Sequence, residues 1–308
     1  MRKWVLLYLN VILSLGVCGQ SRKYISQFNQ LQSYFNPGMT AWQGSVVKGL
    51  VRNQWTYWEG APKTYSITAE LDFNEKRRSD DLGKNAIGIN LLSEEFGAFR
   101  ENEILVNYST RVRITEQSIL RFGLGVNFNK TLLDGNKLTT EQVNDASVNQ
   151  YFNEFASMNT IEFNSGIALV HPKYYLSYGM QNINQGKSIS GDIFIEDRSR
   201  VNIIQAGYKQ KINDQMTMTM NGMWRNQSDL SDNMELNLKL ILMDSFWIGS
   251  GLRVKYANSL QMGFILGSVQ LGYSYEIPIS KKNRLLPEMT NELTISYSIF
   301  GKNKTSIW

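Results

Sequence analysis

Side chains able to do covalent chemistry are scarce in this chain. The one histidine, His171, stands in LVHPKY ahead of Pro172, a turn context that suits surface decoration better than a general base. Hydroxyl activation needs a nucleophile, a base and an orienting group in contact, and nothing around His171 suggests one. The one cysteine, Cys18, lies among the first twenty residues, so a zinc site of thiolates and imidazoles is not expected. An oxygen-ligand calcium site in NEKRRSDD or in residues 129–159 stays open, although the spacing matches no recognised loop. No glycine-rich phosphate loop occurs. The expectation is a protein that is not an enzyme, with no cofactor and no metal.

The charged residues that recur at alternate positions point to a different chemistry. Lys48, Arg52, Glu70, Arg111, Arg113, Arg121, Lys239, Arg253, Glu276 and Glu292 fall on the polar phase of stretches whose other phase is apolar. Enclosed in a narrow interior, charges of both signs must pair or bind water. A self-neutralising network is expected rather than a selective ion path, with Arg52 and Glu292 as neighbours where a first and a last strand meet.

The elements that would hold these charges are β-strands. RFGLGVNFN puts Phe122, Leu124, Val126 and Phe128 on one face and Gly123, Gly125 and Asn127 on the other, the period of two that marks a strand. MTMTMNGMW, ELNLKL, LQMGFIL, VQLGYSYEI and ELTISYSIF follow the same rule. Fourteen such segments are expected, at 45–55, 63–73, 84–93, 103–114, 117–128, 160–169, 173–182, 200–212, 215–225, 234–243, 245–255, 258–266, 268–279 and 291–300. No segment after the leader is long and apolar enough for a helical membrane span.

Alternation alone does not separate a soluble sandwich from a membrane barrel. Three features favour an antiparallel up-and-down transmembrane β-barrel: the even strand count, a polar face rich in Gly, Ser, Asn, Arg and Glu, and aromatics gathered near strand ends. Connections after strands four, eight, ten and twelve are short, and those after five, seven, nine and thirteen are longer, as short periplasmic turns and long outer loops require. The residues NEKRRSDDLGK after strand two and the tight AN after strand eleven depart from that rule.

Residues 1–19 read as a cleaved export signal, with Arg2 and Lys3 ahead of an apolar run from Trp4 to Val17 and small residues before Gln20. Acylation of Cys18 is disfavoured by the bulky Val17 before it. Loss of Arg2 and Lys3 takes the formal net charge from +5 to +3, too little to argue for nucleic-acid binding. Residues 20–44 contain aromatics and Asn-Pro but do not alternate. They would plug the barrel or contact a periplasmic partner, and residues 45–308 would form the barrel.

The stretches SQFNQLQSYFNPGMTAWQGS and VRNQWTYWEGAPKTYSITAEL resemble the opening of the PorP/SprF family of Bacteroidetes type IX secretion. The residues that carry the resemblance are Ser26, Gln27, Asn36, Pro37 and Gly44, then Arg52, Gln54, Trp55, Gly60, Ala61, Pro62 and Thr64, with Glu292 in NELTISYS near the end. Gly38 and Met39 stand where the family pattern has Ala-Tyr, and Asn291 where it has histidine. The resemblance implies a non-enzymatic barrel in the bacterial outer membrane. Its partners would be outer-membrane lipid, type IX components and a secreted cargo protein such as an adhesin, helped to the cell surface or anchored there. A small-solute porin or transporter is the alternative. Trp55, Tyr57 and Trp58 would then meet the outer leaflet, and the outer loops 129–159 and 183–199 with Gly60, Ala61 and Pro62 would form the functional surface. The mature chain is expected to start at Gln20; N-terminal sequencing of the purified protein should read Gln-Ser-Arg-Lys-Tyr, and an acylated Cys18 would overturn the processing.

Overall fold

The computed structural model describes residues 23–56, 58–75, 84–138, 151, 154–186, 189–193, 198–279 and 289–300. The expected leader, Tyr57, most of NEKRRSDDLGK and residues 139–150 lie outside them. The strands are β1 (Val46–Asn53), β2 (Lys63–Asp72), β3 (Lys84–Phe96), β4 (Phe99–Arg113), β5 (Ile119–Asp134), β6 (Phe155–Val170), β7 (Tyr174–Gln181), β8 (Ile189–Gly191), β9 (Val201–Asn213), β10 (Met216–Gln227), β11 (Leu230–Leu242), β12 (Phe246–Arg253), β13 (Ala257–Leu266), β14 (Val269–Pro278) and β15 (Thr290–Ser298). Fourteen of them pair antiparallel with their neighbours and close through β1 against β15, giving a barrel without a free edge. The remaining strand, β8, adds to β6 at Met158–Thr160, beyond the reach of β7.

Strands begin and end close to where alternation places them except toward one end, where β3 and β4 run on past the expected 93 and 103 to pair up to Phe96↔Phe99. Residues 129–134 and 155–159 are strand rather than loop, paired from Asn129↔Thr160 to Asp134↔Phe155. The connection expected to be long after the ninth barrel strand is a tight turn between Gln227 and Leu230. These misreadings fall where outward positions turn polar, as at Lys130, Asn159 and Asp232, so the apolar phase that reveals a strand is missing.

The polarity of the two faces is the reverse of a soluble domain. Outward Ile67, Leu124 and Leu260 are 58, 66 and 62% exposed, whereas inward Thr68, Gln205, Thr219 and Ser274 are at 0%. A closed wall with such a continuous apolar exterior is stable only in lipid. Among the described residues no helix is long and apolar enough to cross a membrane.

The interior contains a packed core contributed largely by residues that precede the first strand. Ile25, Phe28, Leu31 and Phe35 meet Leu50, Ile203 and Met223 from β1, β9 and β10. These residues form short helical turns at Phe28–Gln30, Gln32–Phe35 and Pro37–Met39. The last turn lies against a row of inward glycines, Gly123, Gly166 and Gly179, which face one another across β5, β6 and β7. A Cβ on Gly123 would strike the Pro37 carbonyl, on Gly166 the Asn36 amide oxygen, and on Gly179 the Phe35 carbonyl. Glycine is required here because the backbone of Phe35 and Pro37 and the side chain of Asn36 come too close for any Cβ.

Two substitution pairs test this architecture by heat-modifiable gel mobility. Leu238→Arg, on the outward face at 45% exposure, should impair barrel assembly, because arginine facing midplane lipid costs about 2–4 kcal/mol; Asn237→Ala, inward, should be tolerated. Gly166→Val should yield a barrel of lower thermal stability. Gly222→Ala should not, since its nearest neighbour is the flexible end of the Leu236 side chain. Equal tolerance within either pair would show that the inside–outside register is wrong.

Candidate functional site

The two ends of the barrel differ. Connections 114–118, 171–173, 214–215, 243–245 and 267–268 lie at the end where β1 starts and β15 stops. Connections 54–62, 135–154, 182–200 and 279–289 lie at the other end, together with tight turns at 97–98, 228–229 and 254–256. Short turns face the periplasm in outer-membrane barrels, so the first end is periplasmic and the second is the outer rim. The connection 73–83 is the one long joint on the periplasmic side.

Residues 23–45 run through the interior and are held mainly by bonds from the wall to their backbone. Near the outer rim, Lys23 forms ion pairs with Glu101, at 2.6 Å, and with Glu103, while Arg225 donates to the Lys23 carbonyl at 2.9 Å. The amides of Ser26 and Gln27 both donate to the Glu292 carboxylate at 2.8 Å. The Ser26 hydroxyl donates to Glu276 at 2.7 Å and accepts from Arg52 at 2.7 Å. Its carbonyl accepts from Asn237 at 2.9 Å. Midway, Ser33 donates to Glu70 at 3.0 Å, Asn107 donates to the Ser33 carbonyl at 2.8 Å, and Gln181 donates to the Tyr34 carbonyl at 2.7 Å. Lower down, Arg121 donates to the carbonyls of Gly38, at 2.8 Å, and Thr40. A chain inside a barrel has few strand partners, so side chains of the wall must satisfy its peptide groups.

The charges singled out in the sequence divide by what they meet. Arg52 lies directly across from Glu292 in the β1–β15 pairing and forms ion pairs with it at 3.1 Å and with Glu276 at 3.4 Å. Arg253 joins the same cluster through Glu276 at 3.1 Å and Glu235 at 3.5 Å. Lys48 pairs with Glu70 at 3.3 Å, and Arg111 with Asp72 at 2.7 Å. Lys239 is buried with its ammonium over the Trp247 ring, 4.2 Å from the centroid. Arg113, by contrast, is exposed at the periplasmic end of β4.

The motif residues fall into two groups. Inside, the Asn36 side chain accepts from the Gly38 amide at 2.8 Å and donates to the Ile167 carbonyl, Pro37 packs over Gly125, and Thr64 donates to Glu94 at 2.8 Å. Gly44, with a φ of 96°, makes the turn into β1. Outside, Gln54 closes the β1–β2 hairpin with its backbone amide donating a hydrogen bond to the Pro62 carbonyl at 2.9 Å, and Gly60 accepts from the Gly97 amide at 2.7 Å. Ala61 donates to the Trp58 carbonyl at 3.3 Å. Trp55 turns at a positive φ of 51° and is half-buried, whereas Trp58 is exposed at the rim.

His171 donates to or accepts from Gln117 at 2.9 Å and stacks on Tyr174 in an exposed periplasmic turn. Among the described residues no group of three or more His, Cys, Asp or Glu is placed to hold a metal ion. Sequence reasoning missed the apolar inward residues Leu50, Ile203, Met223 and Trp247, and the partners Ser33, Asn107 and Gln181. The available signal was Leu50 standing in the same phase as Lys48 and Arg52, an apolar residue that a wet channel does not need.

Comparison with known proteins agrees with this architecture. Among solved structures, the Pseudomonas putida toluene transporter TodX superposes with a TM-score of 0.51 at 8% identity, covering 91% of this chain and 95% of TodX. The Acinetobacter baumannii outer membrane protein Omp33 gives 0.49 at 8% identity, over 83% and 98% of the two chains. At such identities the TodX likeness speaks for the fold alone. A comparison with curated proteins found no match. The family model described as "Type IX secretion system membrane protein PorP/SprF" matches residues 17–297. With that match over most of the sequence, and with the barrel and its apolar belt in place, this outer-membrane protein belongs to the PorP/SprF family of type IX secretion.

Proposed function

We propose that this barrel is a non-enzymatic component of type IX secretion that helps secrete cargo proteins such as adhesins or anchors them at the cell surface, together with other components of that machine. The observation that carries this reading, beyond family membership, is the shape of the outer rim. About 9–11 residues suffice for a strand to cross the membrane, yet β3 to β6 have 13 to 16. Their outward positions turn polar toward the rim, from Leu91 to Ser93 and Glu95, from Ile104 back to Asn102 and Arg100, and from Phe128 to Lys130. The four strands therefore stand above the apolar belt as a wall on one side of the mouth.

Beside that wall lies the motif loop, joined to it by the Gly97–Gly60 bond and to β15 by Asn291, which donates to the Thr56 hydroxyl at 3.1 Å. The wall carries the stacked pair Phe96 and Phe99 and the exposed ring of Phe155. A raised, partly aromatic rim held at both flanks is a surface for a macromolecular partner rather than for a small solute. The packed core and the ion pairs inside the barrel argue against the porin alternative, which needs a water-filled path.

Replacing 135–154 by a short Gly/Ser turn tests the reading. β5 and β6 keep their pairing up to Asp134↔Phe155, so the shortened protein should reach the outer membrane in normal amount. Surface display of the secreted partner, measured by antibody binding to intact cells, should fall severalfold. Undiminished display would remove this loop from the binding surface.

A further inference from the structure

The direction in which the N-terminal residues thread the barrel has a consequence for sidedness. Ser45 sits at the periplasmic end, where its amide donates to Glu75 at 2.7 Å and its hydroxyl accepts from the Asp72 amide at 3.0 Å. Going backward along the chain, the contacts climb the wall to the opposite end. Arg52 is the last residue but one of β1, Glu292 the third of β15, and Arg253 the last of β12. All three lie at the outer rim, and they hold Ser26 and Tyr24: the Arg253 guanidinium lies over the Tyr24 ring at 4.2 Å. Lys23 is fixed higher on the wall, by Glu101 and Glu103 near the start of β4.

We propose that the chain on the N-terminal side of Lys23 opens on the cell exterior, and not on the periplasm where the barrel's strands begin and end. Three residues separate Lys23 from the expected start at Gln20, a reach of about 10 Å at full extension. The periplasmic end is an apolar belt of about 25 Å away, through an interior already filled by the chain itself. A return to the periplasm is out of reach. This inference stands independently of the cargo role, because it rests only on the path of residues 23–45.

Single-cysteine accessibility on living cells tests it, since the one cysteine of the sequence, Cys18, lies within the expected leader. Ser21→Cys should be labelled by a membrane-impermeant maleimide on intact cells to the same extent as after lysis. Ser268→Cys, in the periplasmic β13–β14 turn, should be labelled only after lysis. Protection of Ser21→Cys in intact cells overturns the proposal, whether lysis then exposes it, which places the end in the periplasm, or only denaturation does, which leaves it sealed in the barrel. Labelling of Ser268→Cys on intact cells overturns the assigned orientation and the proposal with it. Gln20→Cys serves in the same way where Ser21→Cys fails to show the heat-modifiable mobility of a folded barrel.

Discussion

The contact on which the rest of this structure depends is the one between Arg52, Glu292, Glu276 and the backbone of Ser26 and Gln27. It joins the first strand to the last, and both to the chain that fills the barrel. A buried pair of charges contributes little by itself, because desolvation offsets much of the attraction. Its loss on one side is another matter: an uncompensated buried charge costs about 3–5 kcal/mol. Glu292 uses both carboxylate oxygens on backbone amides while accepting from Arg52. The seam and the filler are thereby made mutually dependent, and neither is satisfied without the other.

That dependence follows from turning a soluble fold inside out. Lipid takes the apolar face, so the inward face inherits the polar residues, and much of their hydrogen bonding is met by the segment that fills the interior. Inward side chains such as Asn107, Gln181 and Arg121 find their partners in carbonyls that the short helical turns of residues 28–39 leave unpaired. The same turns bring Ile25, Phe28, Leu31 and Phe35 to the few inward apolar residues. Two kinds of complementarity thus act on one segment, hydrogen bonding along its backbone and hydrophobic packing along its side chains. The glycine row on β5, β6 and β7 supplies the room for it.

Much of the barrel was legible in the sequence because lipid enforces a strict period of two, and fourteen strands could be counted from residues such as Phe122, Leu124 and Val126. Legibility failed where lipid stops enforcing it. At Lys130, Asn159 and Asp232 the outward face meets water, both faces become polar, and strands read as loops. The interior was harder still. Arg52 and Glu292 could be paired because their strands must meet when a barrel closes, but Glu276 reaches Arg52 only through the shape of the filled interior. The path of residues 23–45 has no periodic signature, since it is set by individual contacts such as Asn36 against Gly166 and not by a repeating environment.

The family's opening motif acquires a physical meaning from this arrangement. Arg52 and Thr64 face inward, where one holds the filler and the other the Glu94 carboxylate. Gln54, Trp55, Gly60, Ala61 and Pro62, between them in sequence, build the loop at the outer rim. Only a short stretch of β1 and β2 separates the interior clamp from the loop, and strands in a closed barrel transmit displacement poorly unless their neighbours move too. The loop is bonded to the β3–β4 turn through Gly97 and to β15 through Asn291, and β15 is the strand that presents Glu292. A partner seated on this rim would therefore meet a surface whose positions are fixed from below by buried charges, which lowers the ordering cost of binding. Residues inside and outside the mouth are continuous in sequence, and the interior contacts at Arg52 and Thr64 flank the loop at the rim.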